Sequence, residues 1–304
     1  MLENPPSDNR PLVSVVLPTR NRADTLRRAT DSVLDQSYDR LELIVVDDAS
    51  TDDTEAVVNE INDPRVRYIR LDHSRGGSGA RNVGLQKAKG DLIAFQDSDD
   101  EWLTDKLEKQ CRALEAASER AGVCVCSYRY TQFGKTHTVV HGQGEIQSVE
   151  ALRRIAGGTG YGTVTLIVKR EVFEHSGGFN ESLPRLQDYE LTMRIARDWN
   201  FVLLADPLVD VYVGADSVSS SADKYVRATE IILEEHEDIY RANRRARSRL
   251  VFRTGKYLVL EGRYREALPF FTSAYRANPL NLRALAAVLM VATGTIGLYR
   301  RART

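Results

Sequence analysis

The chain is poor in the residues that mark secreted, zinc-bound or membrane-spanning proteins. Its 304 residues include only 3 cysteines, 9 prolines and 2 tryptophans. None of its apolar runs reaches the roughly 18 residues that cross a bilayer. The sequence does not open with a basic region followed by an apolar core, so a signal peptide is not expected. These absences favour a cytoplasmic protein.

The three cysteines, Cys111, Cys124 and Cys126, are too few for a disulfide framework, and no histidine cluster accompanies them to hold zinc. Cys124 and Cys126 alternate with valines, so both are expected on one side of a buried strand. We therefore predict three structural thiols in a reducing compartment.

Charge is nearly balanced over the whole chain but unevenly distributed. The 42 basic and 43 acidic side chains give a net charge of −1. From Arg241 to Thr304, 13 arginines and one lysine face two glutamates, a charge of +12, which leaves −13 on the first 240 residues. A basic tail on an acidic body indicates a tail that binds something anionic, or one that folds back on the body.

Short apolar runs alternate with helix-like patterns in the first hundred residues. Buried strands are predicted over Val13–Leu17, Leu43–Val46, Val66–Ile69 and Leu92–Phe95. This alternation is typical of a parallel sheet with right-handed crossovers, whose ligands bind beyond the carboxyl ends of the strands. We predict an α/β fold with a Rossmann-like, mostly parallel sheet and an all-α C-terminal appendage.

The second half is less regular. We predict a helix from about Leu103 to Ala121, strands over Val123–Tyr128 and Thr163–Val168, and a mobile loop over 131–162, which is rich in glycine, threonine and histidine. From about Ala222 the chain is expected to be helical. The expected domains are a flexible leader (1–10), the α/β domain (11–220) and the helical basic tail (221–304).

Part of the tail matches half of a tetratricopeptide repeat in spacing and residue type, at Gly255, Gly262, Tyr264, Ala267, Phe271, Ala274 and Pro279. One repeat cannot bury its own apolar face, and a solenoid needs several. We therefore predict a single helical hairpin packed on the α/β body, and no peptide-binding array.

Two adjacent aspartates, Asp47 and Asp48, end the second predicted strand. A carboxylate at the carboxyl end of a parallel strand can accept hydrogen bonds from a base or a ribose hydroxyl. Two of them side by side are costly unless a cation or hydrogen-bond donors meet them. The alternative is a solvated turn that caps the next helix, and the pattern alone leaves both interpretations open.

A denser acidic segment, Asp97-Ser98-Asp99-Asp100, follows the fourth predicted strand. Its carboxylates repel one another unless a divalent cation or several donors neutralise them. Oxygen ligands suit Mg²⁺ or Mn²⁺, which can also bridge a diphosphate. The alternative is again a helix N-terminus, where acidic residues interact favourably with the helix dipole.

Glycines precede a predicted helix in the segment from Gly76 to Asn82. Backbone N–H groups at such a helix start bind anions, and Arg81 adds a guanidinium on the first turn. Neither the dinucleotide-binding G-x-G-x-x-G nor the P-loop pattern is present. Further along, Asp188 precedes an amphipathic helix and is either a general base or the cap of that helix.

Taken in order, these motifs resemble those of family 2 glycosyltransferases with the GT-A fold. The similarity covers roughly residues 11–215, and the order and spacing of its motifs make it specific. The segments that carry it are Val13–Arg22, Val45–Ser50, Gly79–Gly84, Asp97–Asp100 and Gly177–Glu181 with Asp188.

The resemblance implies a metal-dependent, inverting transfer from a nucleotide-diphosphate sugar to a hydroxyl of a glycan or lipid-linked acceptor. UDP is the expected nucleotide, with GDP and dTDP as alternatives. By the same resemblance Asp188 is the catalytic base, and Asp97 and Asp99 of the DxD motif meet Mn²⁺ or Mg²⁺. The residues expected to bind the donor are Pro18, Thr19, Arg20, Asn21, Asp48, Gly79, Arg81 and Asp97.

The sequence departs from the family pattern at Gln187, where a glutamate often precedes the base, and near Arg20, where an aromatic residue is common. No Q-x-x-R-W motif of the processive synthases follows Asp188, which favours addition of single sugars. Two other functions stay open. One is a polyprenyl-phosphate glycosyl synthase, whose phosphate acceptor needs no base, and the other is a non-catalytic scaffold that binds a partner through the helical tail.

The charge of the tail and the apolar run Ala284–Leu298 predict docking on an anionic membrane surface, since the run is too short to span a bilayer. The alternative is a terminal helix that packs in the core. Nucleic-acid binding is not expected, because no aromatic residues are interleaved for base stacking. The expected location is the cytoplasm, peripheral at the cytoplasmic membrane face if the tail docks.

Overall fold

The computed structural model describes residues 10–132, 134–212 and 221–295. The leader expected over 1–10 lies outside these ranges apart from Arg10, as do the end of the Ala284–Leu298 run and the last three arginines. The chain divides into two compact units. The first contains the described residues of Met1–Ala151, Tyr161–Glu181 and Leu191–Ala215, and the second those of Leu152–Gly160, Ser182–Glu190 and Asp216–Thr304.

A mixed sheet is the frame of the first unit and has ten strands within the described ranges. Its order is β3-β2-β1-β4-β9-β6-β10-β5, with β7 beside β6 and β8 beside β10. The strands are β1 (Val13–Thr19), β2 (Leu41–Asp47), β3 (Val66–Arg70), β4 (Leu92–Phe95), β5 (Glu101–Trp102), β6 (Ala121–Gln132), β7 (Lys135–Val139), β8 (Gly144–Ile146), β9 (Leu166–Lys169) and β10 (Asn200–Tyr212).

Helices connect these strands and form most of the second unit. They are α1 (Ala23–Leu34), α2 (Thr54–Asn59), α3 (Gly76–Lys87), α4 (Lys106–Glu115), α5 (Ser148–Ala156), α6 (Arg170–Ser176), α7 (Gln187–Ile195), α8 (Ala222–Glu235), α9 (Glu237–Ala242), α10 (Arg244–Leu260), α11 (Tyr264–Ala277) and α12 (Leu282–Ala292).

The predicted α/β class is confirmed, and all four strands predicted in the first hundred residues are present. β1 pairs in parallel with β2 and β4, and β2 with β3. β6 has the same direction as β4, because both run antiparallel to β9, and β10 is parallel to β6. The carboxyl ends of six strands therefore lie on one edge of the sheet, the carboxyl edge, where such sheets bind ligands.

The segment 131–162, predicted as a loop, is largely regular structure. β6 continues to Gln132, β7 returns beside it in antiparallel register, and β8 and α5 follow. Most side chains of β7 are exposed, so its sequence carries no hydrophobic alternation that would indicate a strand. The helix predicted over Leu103–Ala121 is the shorter α4, and a single 3-10 turn occupies the first part of the strand predicted over Thr163–Val168.

The central strands β1, β2 and β4 are buried along nearly their whole length, as is typical of a sheet with helices on both faces. On one face Val15 packs with Leu26 and Val33 of α1 in a core cluster. On α3, a Cβ added at Gly84 would lie 2.3 Å from a methyl carbon of Val16, so only glycine allows this close approach of helix and strand. The three cysteines are buried, with free thiols.

Within the second unit, α10 and α11 pack closely. A Cβ added at Gly255 would lie 2.6 Å from the ring of Phe271. Side-chain oxygens of Ser221, Asn243 and Asn281 accept hydrogen bonds from the first turns of α8, α10 and α12. These caps satisfy N–H groups that have no partner inside a helix.

No helix in the described part of the chain is long and apolar enough to pass through a membrane. On α12, Ala284 and Ala287 are buried. Leu280, Leu282 and Leu289 are exposed and form what we call the leucine face. Exposed apolar side chains grouped in this way are typical of an interaction surface.

Candidate active site

The loops that follow β1 and β2 at the carboxyl edge are tied to each other. Pro18 and Thr19 end β1, and Arg20 and Asn21 begin its loop. The N–H of Asn21 donates to the Ser50 hydroxyl at 2.9 Å. Asn21 and Ala49 of the second loop have φ values of 51° and 58°, a left-handed conformation that side chains rarely adopt. Such strained residues cluster at binding sites.

Asp47, the last residue of β2, is fully buried. Its carboxylate accepts hydrogen bonds from the N–H of Ser50 at 2.8 Å and from the hydroxyl of Tyr68 at 2.6 Å. Burial and this neighbouring carboxylate raise the pKa of Tyr68. The carboxylate of Asp47 therefore has its hydrogen-bond donors within the protein. It holds the loop in shape and has no exposed surface for a ligand.

Asp48 fixes the beginning of α3. One of its oxygens accepts from the N–H of Arg75 at 2.6 Å, and the other from the Ser74 hydroxyl at 2.6 Å and the N–H of Gly76 at 3.0 Å. Arg20 in turn donates to Ser74 at 2.7 Å. The oxygen facing Arg75 has one donor and can accept a second from a ligand hydroxyl.

The first turns of α3 are packed against the Gly177–Glu181 segment. Asn82 donates to the Glu181 carboxylate at 2.9 Å, and Arg75 donates to it at 3.0 Å. These hydrogen bonds, that of Asn82 first, lower the pKa of Glu181. A Cβ added at Gly79 would lie 2.5 Å from the Cβ of Arg75, so this glycine is required by packing.

Arg81 joins α3 to the acidic segment. Its Nη2 forms an ion pair with Oδ1 of Asp97, and the two side chains are 15% and 30% exposed. The guanidinium carbon lies 5.7 Å from the ring centroid of Phe179. Nε of Arg81 is buried without a hydrogen-bond partner among the described residues, a rare state for a guanidinium. The ion pair of Arg81 and Asp97 thus joins the glycine-rich segment to the acidic segment.

The remaining carboxylates of the acidic segment are only partly neutralised. Oδ2 of Asp99 lies 3.6 Å from the guanidinium of Arg22, and Asp100 accepts a hydrogen bond from the N–H of Tyr212 at 3.0 Å. Burial, and then the charge of Asp97, raises the pKa of Asp99 and raises that of Asp100 to about 8. The segment therefore concentrates more negative charge than its protein donors offset.

A divalent cation fits this segment. Asp97 and Asp99 offer the carboxylate oxygens that Mg²⁺ and Mn²⁺ prefer. Their side chains are 30% and 40% exposed, so an ion can reach them. Burial and the charge of Asp97 raise the pKa of Asp99, and a bound cation would oppose both effects. The first motif ends at Arg22 but gave no sign of its contact with Asp99, and Tyr212 lies outside every motif.

Asp188 belongs to the second unit, on the first turn of α7. Its Oδ1 accepts the N–H of Tyr189 at 2.8 Å. Two residues earlier, Leu186 has a φ of 64°. A left-handed leucine is a true outlier that costs about 1–3 kcal/mol and persists only where surrounding contacts enforce it. The strain marks the turn that carries Asp188 as a fixed geometry.

Arg185 anchors the same turn. Its guanidinium carbon lies 4.8 Å and 4.5 Å from the ring centroids of Tyr225 and Tyr257, and Nη2 donates to the Tyr257 hydroxyl at 3.0 Å. The two rings are themselves stacked, 4.3 Å between centroids. These cation–π contacts fix the turn to α8 and α10. No sequence signal indicated Arg185, because its partners are distant along the chain.

Tyr189 and Glu190, the two residues after Asp188, contact helices of the second unit. The hydroxyls of Tyr189 and Tyr240 lie 2.8 Å apart. Oε1 of Glu190 lies 3.4 Å from Nε2 of His236, and both side chains are at least 96% buried. With Glu235 they form the only group of three metal-ligating side chains within 4.8 Å that the described ranges contain. The sequence analysis did not identify this cluster.

A cavity of about 940 Å³ opens at the other edge of the sheet, beside the first residues of β1 and β4. Tyr38, Asp91 and Lys169 are among its lining residues, and none of the predicted site residues is. The predicted donor-binding residues therefore gather at the carboxyl edge and leave this cavity without an assigned ligand.

Comparison with known proteins relates this geometry to a family. The model of glycosyl transferase family 2 matches residues 14–177. The UDP-Glc:alpha-D-GlcNAc-diphosphoundecaprenol beta-1,3-glucosyltransferase WfaP of Escherichia coli is 32% identical over 222 residues, which cover 70% of this chain and 81% of that protein. The putative teichuronic acid biosynthesis glycosyltransferase TuaG of Bacillus subtilis is 41% identical over 126 residues, 41% of this chain and 47% of that protein.

Two solved structures share the fold. S. aureus TarS 1-349 in complex with UDP-GlcNAc superposes with a TM-score of 0.65 at 19% identity, covering 96% of this chain and 92% of that one. The mannosyltransferase PcManGT from Pyrobaculum calidifontis, in complex with GDP-Man and Mn²⁺, gives 0.60 at 21% identity, with coverages of 98% and 86%. The predicted GT-A fold is confirmed.

Proposed function

The chain belongs to glycosyl transferase family 2, and on this premise we propose that it transfers one sugar from a UDP-sugar, with inversion, to a hydroxyl of a lipid-linked glycan. The observation that carries the proposal is the ion pair of Arg81 and Asp97 at the carboxyl edge. Two residues further along the chain is Asp99, whose pKa is raised by burial and by the charge of Asp97. Together they make a site for a diphosphate and a cation.

UDP is the proposed nucleotide because the name of WfaP specifies UDP-Glc and TarS holds UDP-GlcNAc. Asp48 would accept a ribose or base donor on its less occupied oxygen. Arg81 and the helix start around Gly79 would face the diphosphate, since a guanidinium and helical N–H groups both favour an anion. The loop after β1 would contact the base and ribose through Pro18, Thr19, Arg20 and Asn21.

Asp97 and Asp99 would hold Mn²⁺ or Mg²⁺. When bound, such a cation offsets the charge that grows on the departing diphosphate. The chain's own residues keep the segment in place for this. Arg28 donates to the backbone carbonyl of Asp99 at 2.6 Å, and Tyr212 donates to the carboxylate of Asp100.

We assign Asp188 the role of general base. Its carboxylate would accept the proton of the acceptor hydroxyl as that oxygen attacks the anomeric carbon and the bond to the diphosphate breaks. Attack from the side opposite the leaving group inverts the anomeric configuration. Arg185 and the strained Leu186 fix the turn before the base, which supports a role that depends on a precise position.

The proposed acceptor is a glycan on a lipid carrier, because the name of WfaP specifies a diphosphoundecaprenol-linked GlcNAc. For the second unit we propose docking on an anionic membrane surface. The leucine face can enter the membrane interface, and the exposed Arg276 and Arg283 lie close to it in sequence. A basic residue near such a surface adds about 1 kcal/mol of attraction.

A transfer assay tests the proposal. UDP-Glc and UDP-GlcNAc are offered with Mn²⁺ and a soluble analogue that carries GlcNAc-diphosphate on a short alkyl chain. We expect turnover by the wild type and a loss of kcat of at least about 100-fold in Asp188→Asn, with UDP binding retained. Asp198→Asn, which alters an exposed carboxylate beside His175, serves as the control. Full activity of Asp188→Asn would show that Asp188 is not the base, and absence of UDP binding would overturn the proposal.

Flotation with anionic vesicles tests the docking surface. The full chain is expected to float, less so at high salt, and Leu282→Ser/Leu289→Ser is expected to stay at the bottom. Leu260→Ser changes another exposed leucine of the second unit and should float like the wild type. Wild-type protein that remains at the bottom would refute membrane docking without affecting the assignment of the donor site.

A further inference from the structure

Among the residues that the structure describes, four rings lie along the β6–β7 hairpin of the first unit. Tyr130 and His137 are cross-strand partners with stacked rings, 5.1 Å between centroids. The ring of Tyr128 lies 6.4 Å from that of Tyr130 and 5.7 Å from that of His141. His137 is exposed and the other three are half-buried. We call these four residues the aromatic row.

Buried rings brace the inner end of the row. The ring of His141 meets Tyr161 edge-on at 5.0 Å, and Tyr161 lies 5.7 Å from Phe201. The N–H of His141 donates to the hydroxyl of Ser127 on β6 at 3.0 Å. The outer rings are therefore held in place before any ligand arrives, which lowers the entropic cost of binding.

The row stands beside the acidic segment. The acidic segment Asp97–Asp100 leads from β4 to β5, which pairs with the last part of β10, and β10 is the neighbour of β6. Thr131 of β6 pairs with Tyr212 of β10, whose N–H donates to Asp100. Neighbouring strands lie about 4.8 Å apart, which places the β6 backbone within about 10 Å of the acidic segment.

The row also lies close to Trp102, which follows the acidic segment by two residues. Tyr128 packs against the core cluster that includes Trp102, the residue at the end of β5. Tyr130 is two residues further along the strand and points to the same side. A ligand that lies on the row is therefore within reach of the site assigned to the donor sugar.

The chemistry of the row suits a sugar ring. Burial lowers the pKa of His141 to about 4, so its ring is uncharged at neutral pH. The faces of aromatic rings are electron-rich and attract the C–H groups on the face of a pyranose. The hydroxyls of Thr131 and Thr136 lie 3.0 Å apart at the surface of the same hairpin and can bond to sugar hydroxyls. Rings beside hydroxyls match a pyranose better than an acyl chain.

We infer that the aromatic row is a subsite for a pyranose ring of the acceptor. This inference rests on the proposed function and adds the residues that receive the acceptor glycan. Cross-strand aromatic pairs also stabilise hairpins, so the test has to separate ligand binding from hairpin stability.

Two substitutions of one residue make this separation. Tyr130→Val removes the ring and keeps a strand-forming residue, whereas Tyr130→Phe keeps the ring and loses only the hydroxyl. Lys135→Ala, an exposed change on the same hairpin, is the control. The probe is the GlcNAc-diphosphate alkyl analogue, and the readouts are the acceptor KM, the donor KM and saturation-transfer NMR of the probe's ring protons.

We expect Tyr130→Val to raise the acceptor KM at least about tenfold, a loss of 1.4 kcal/mol, and to weaken saturation transfer to the probe. The donor KM should stay within about twofold, and the other two variants should resemble the wild type. An unchanged acceptor KM would overturn the subsite, as would an equal rise in both KM values, which indicates a structural role. If the wild type transfers sugar and Tyr130→Val has the same acceptor KM, this inference is refuted and the proposed function is not. A wild type that uses no glycan acceptor refutes the proposed function, and the subsite with it.

Discussion

The guanidinium of Arg81 is paired with the carboxylate of Asp97, so one ion pair joins the first turns of α3 to the acidic segment. The same turns are bound to Glu181 through Asn82, and their beginning is held by Asp48. Residues from three other parts of the chain are therefore fixed around one helix start. A diphosphate bound there would meet a preorganised surface.

Loss of the Arg81 guanidinium should weaken donor binding. Arg81→Met leaves Asp97 unpaired beside two further carboxylates, so we expect the Kd for UDP to rise at least about tenfold. The Kd of Arg81→Lys should lie between those of the wild type and Arg81→Met, because lysine keeps the charge but lacks the planar guanidinium. Titration calorimetry at fixed Mn²⁺ measures this, with Arg67→Met as a control outside the site. Equal Kd values for Arg81→Met and wild type would contradict the assignment.

Asp99→Asn should abolish the metal dependence of nucleotide binding. A ligand at 100 times its Kd stabilises the folded state by about 2.7 kcal/mol, which a thermal-shift assay detects. We expect UDP with Mn²⁺ to stabilise the wild type more than UDP alone, and this difference to vanish in Asp99→Asn. Asp105→Asn, which alters a carboxylate paired with Lys109, should keep the difference between UDP with Mn²⁺ and UDP alone. A metal effect that persists in Asp99→Asn would place the cation elsewhere.

Lys106 should make stability depend on pH. Its fully buried ammonium lies 3.8 Å from the centroid of a Trp102 ring and donates to Gln110 at 2.8 Å. Burial lowers its pKa from 10.5 to about 8. Between these values the unfolded chain binds a proton that the folded protein does not, so the free energy of unfolding rises with pH.

Lys106→Met should remove that rise and increase the free energy of unfolding at pH 7 by about 1–3 kcal/mol, because a buried charge is replaced by an apolar chain of similar length. Urea unfolding at pH 7 and at about pH 9.5 compares the two proteins. If the variant were less stable at pH 7, the contacts with Trp102 and Gln110 would outweigh the cost of burying the charge.

Gly255→Ala should destabilise the second unit. The added Cβ would lie 2.6 Å from the ring of Phe271, and overpacking of this kind costs about 1–3 kcal/mol. Gly160→Ala is the matched control, because an added Cβ there meets no atom within 4 Å. Chemical denaturation followed by circular dichroism measures both. Restored stability in Gly255→Ala/Phe271→Leu would identify the ring as the source of the effect.

The parallel strands β1, β2 and β4 could be predicted because they are almost fully buried and appear as short apolar runs. The run Leu92–Phe95 coincides with β4 at both ends. β7 could not be predicted, since it is an exposed strand at the sheet margin whose side chains carry no periodic signal. Its position depends on pairing with β6, which local sequence does not encode.

The sequence predicted that the candidate site contains carboxylates at strand ends. It could not predict which groups pair with each carboxylate. Asp48 is engaged by backbone groups 27 and 28 residues away, and sequence alone could not separate a ligand contact from a helix anchor. The donor-binding and catalytic roles of the sequence motifs stay predictions. Arg185 escaped prediction because its importance comes from two tyrosines on other helices.

At Leu186, the left-handed backbone makes stability of the fold and a fixed position of Asp188 favour different residues. A glycine there would adopt the same φ without strain, which would relieve the folded state of a cost. The same glycine would let the turn sample other conformations and release the carboxylate of Asp188 from a single orientation. Laboratory evolution for thermal stability alone should therefore favour substitutions at this position that selection for turnover rejects.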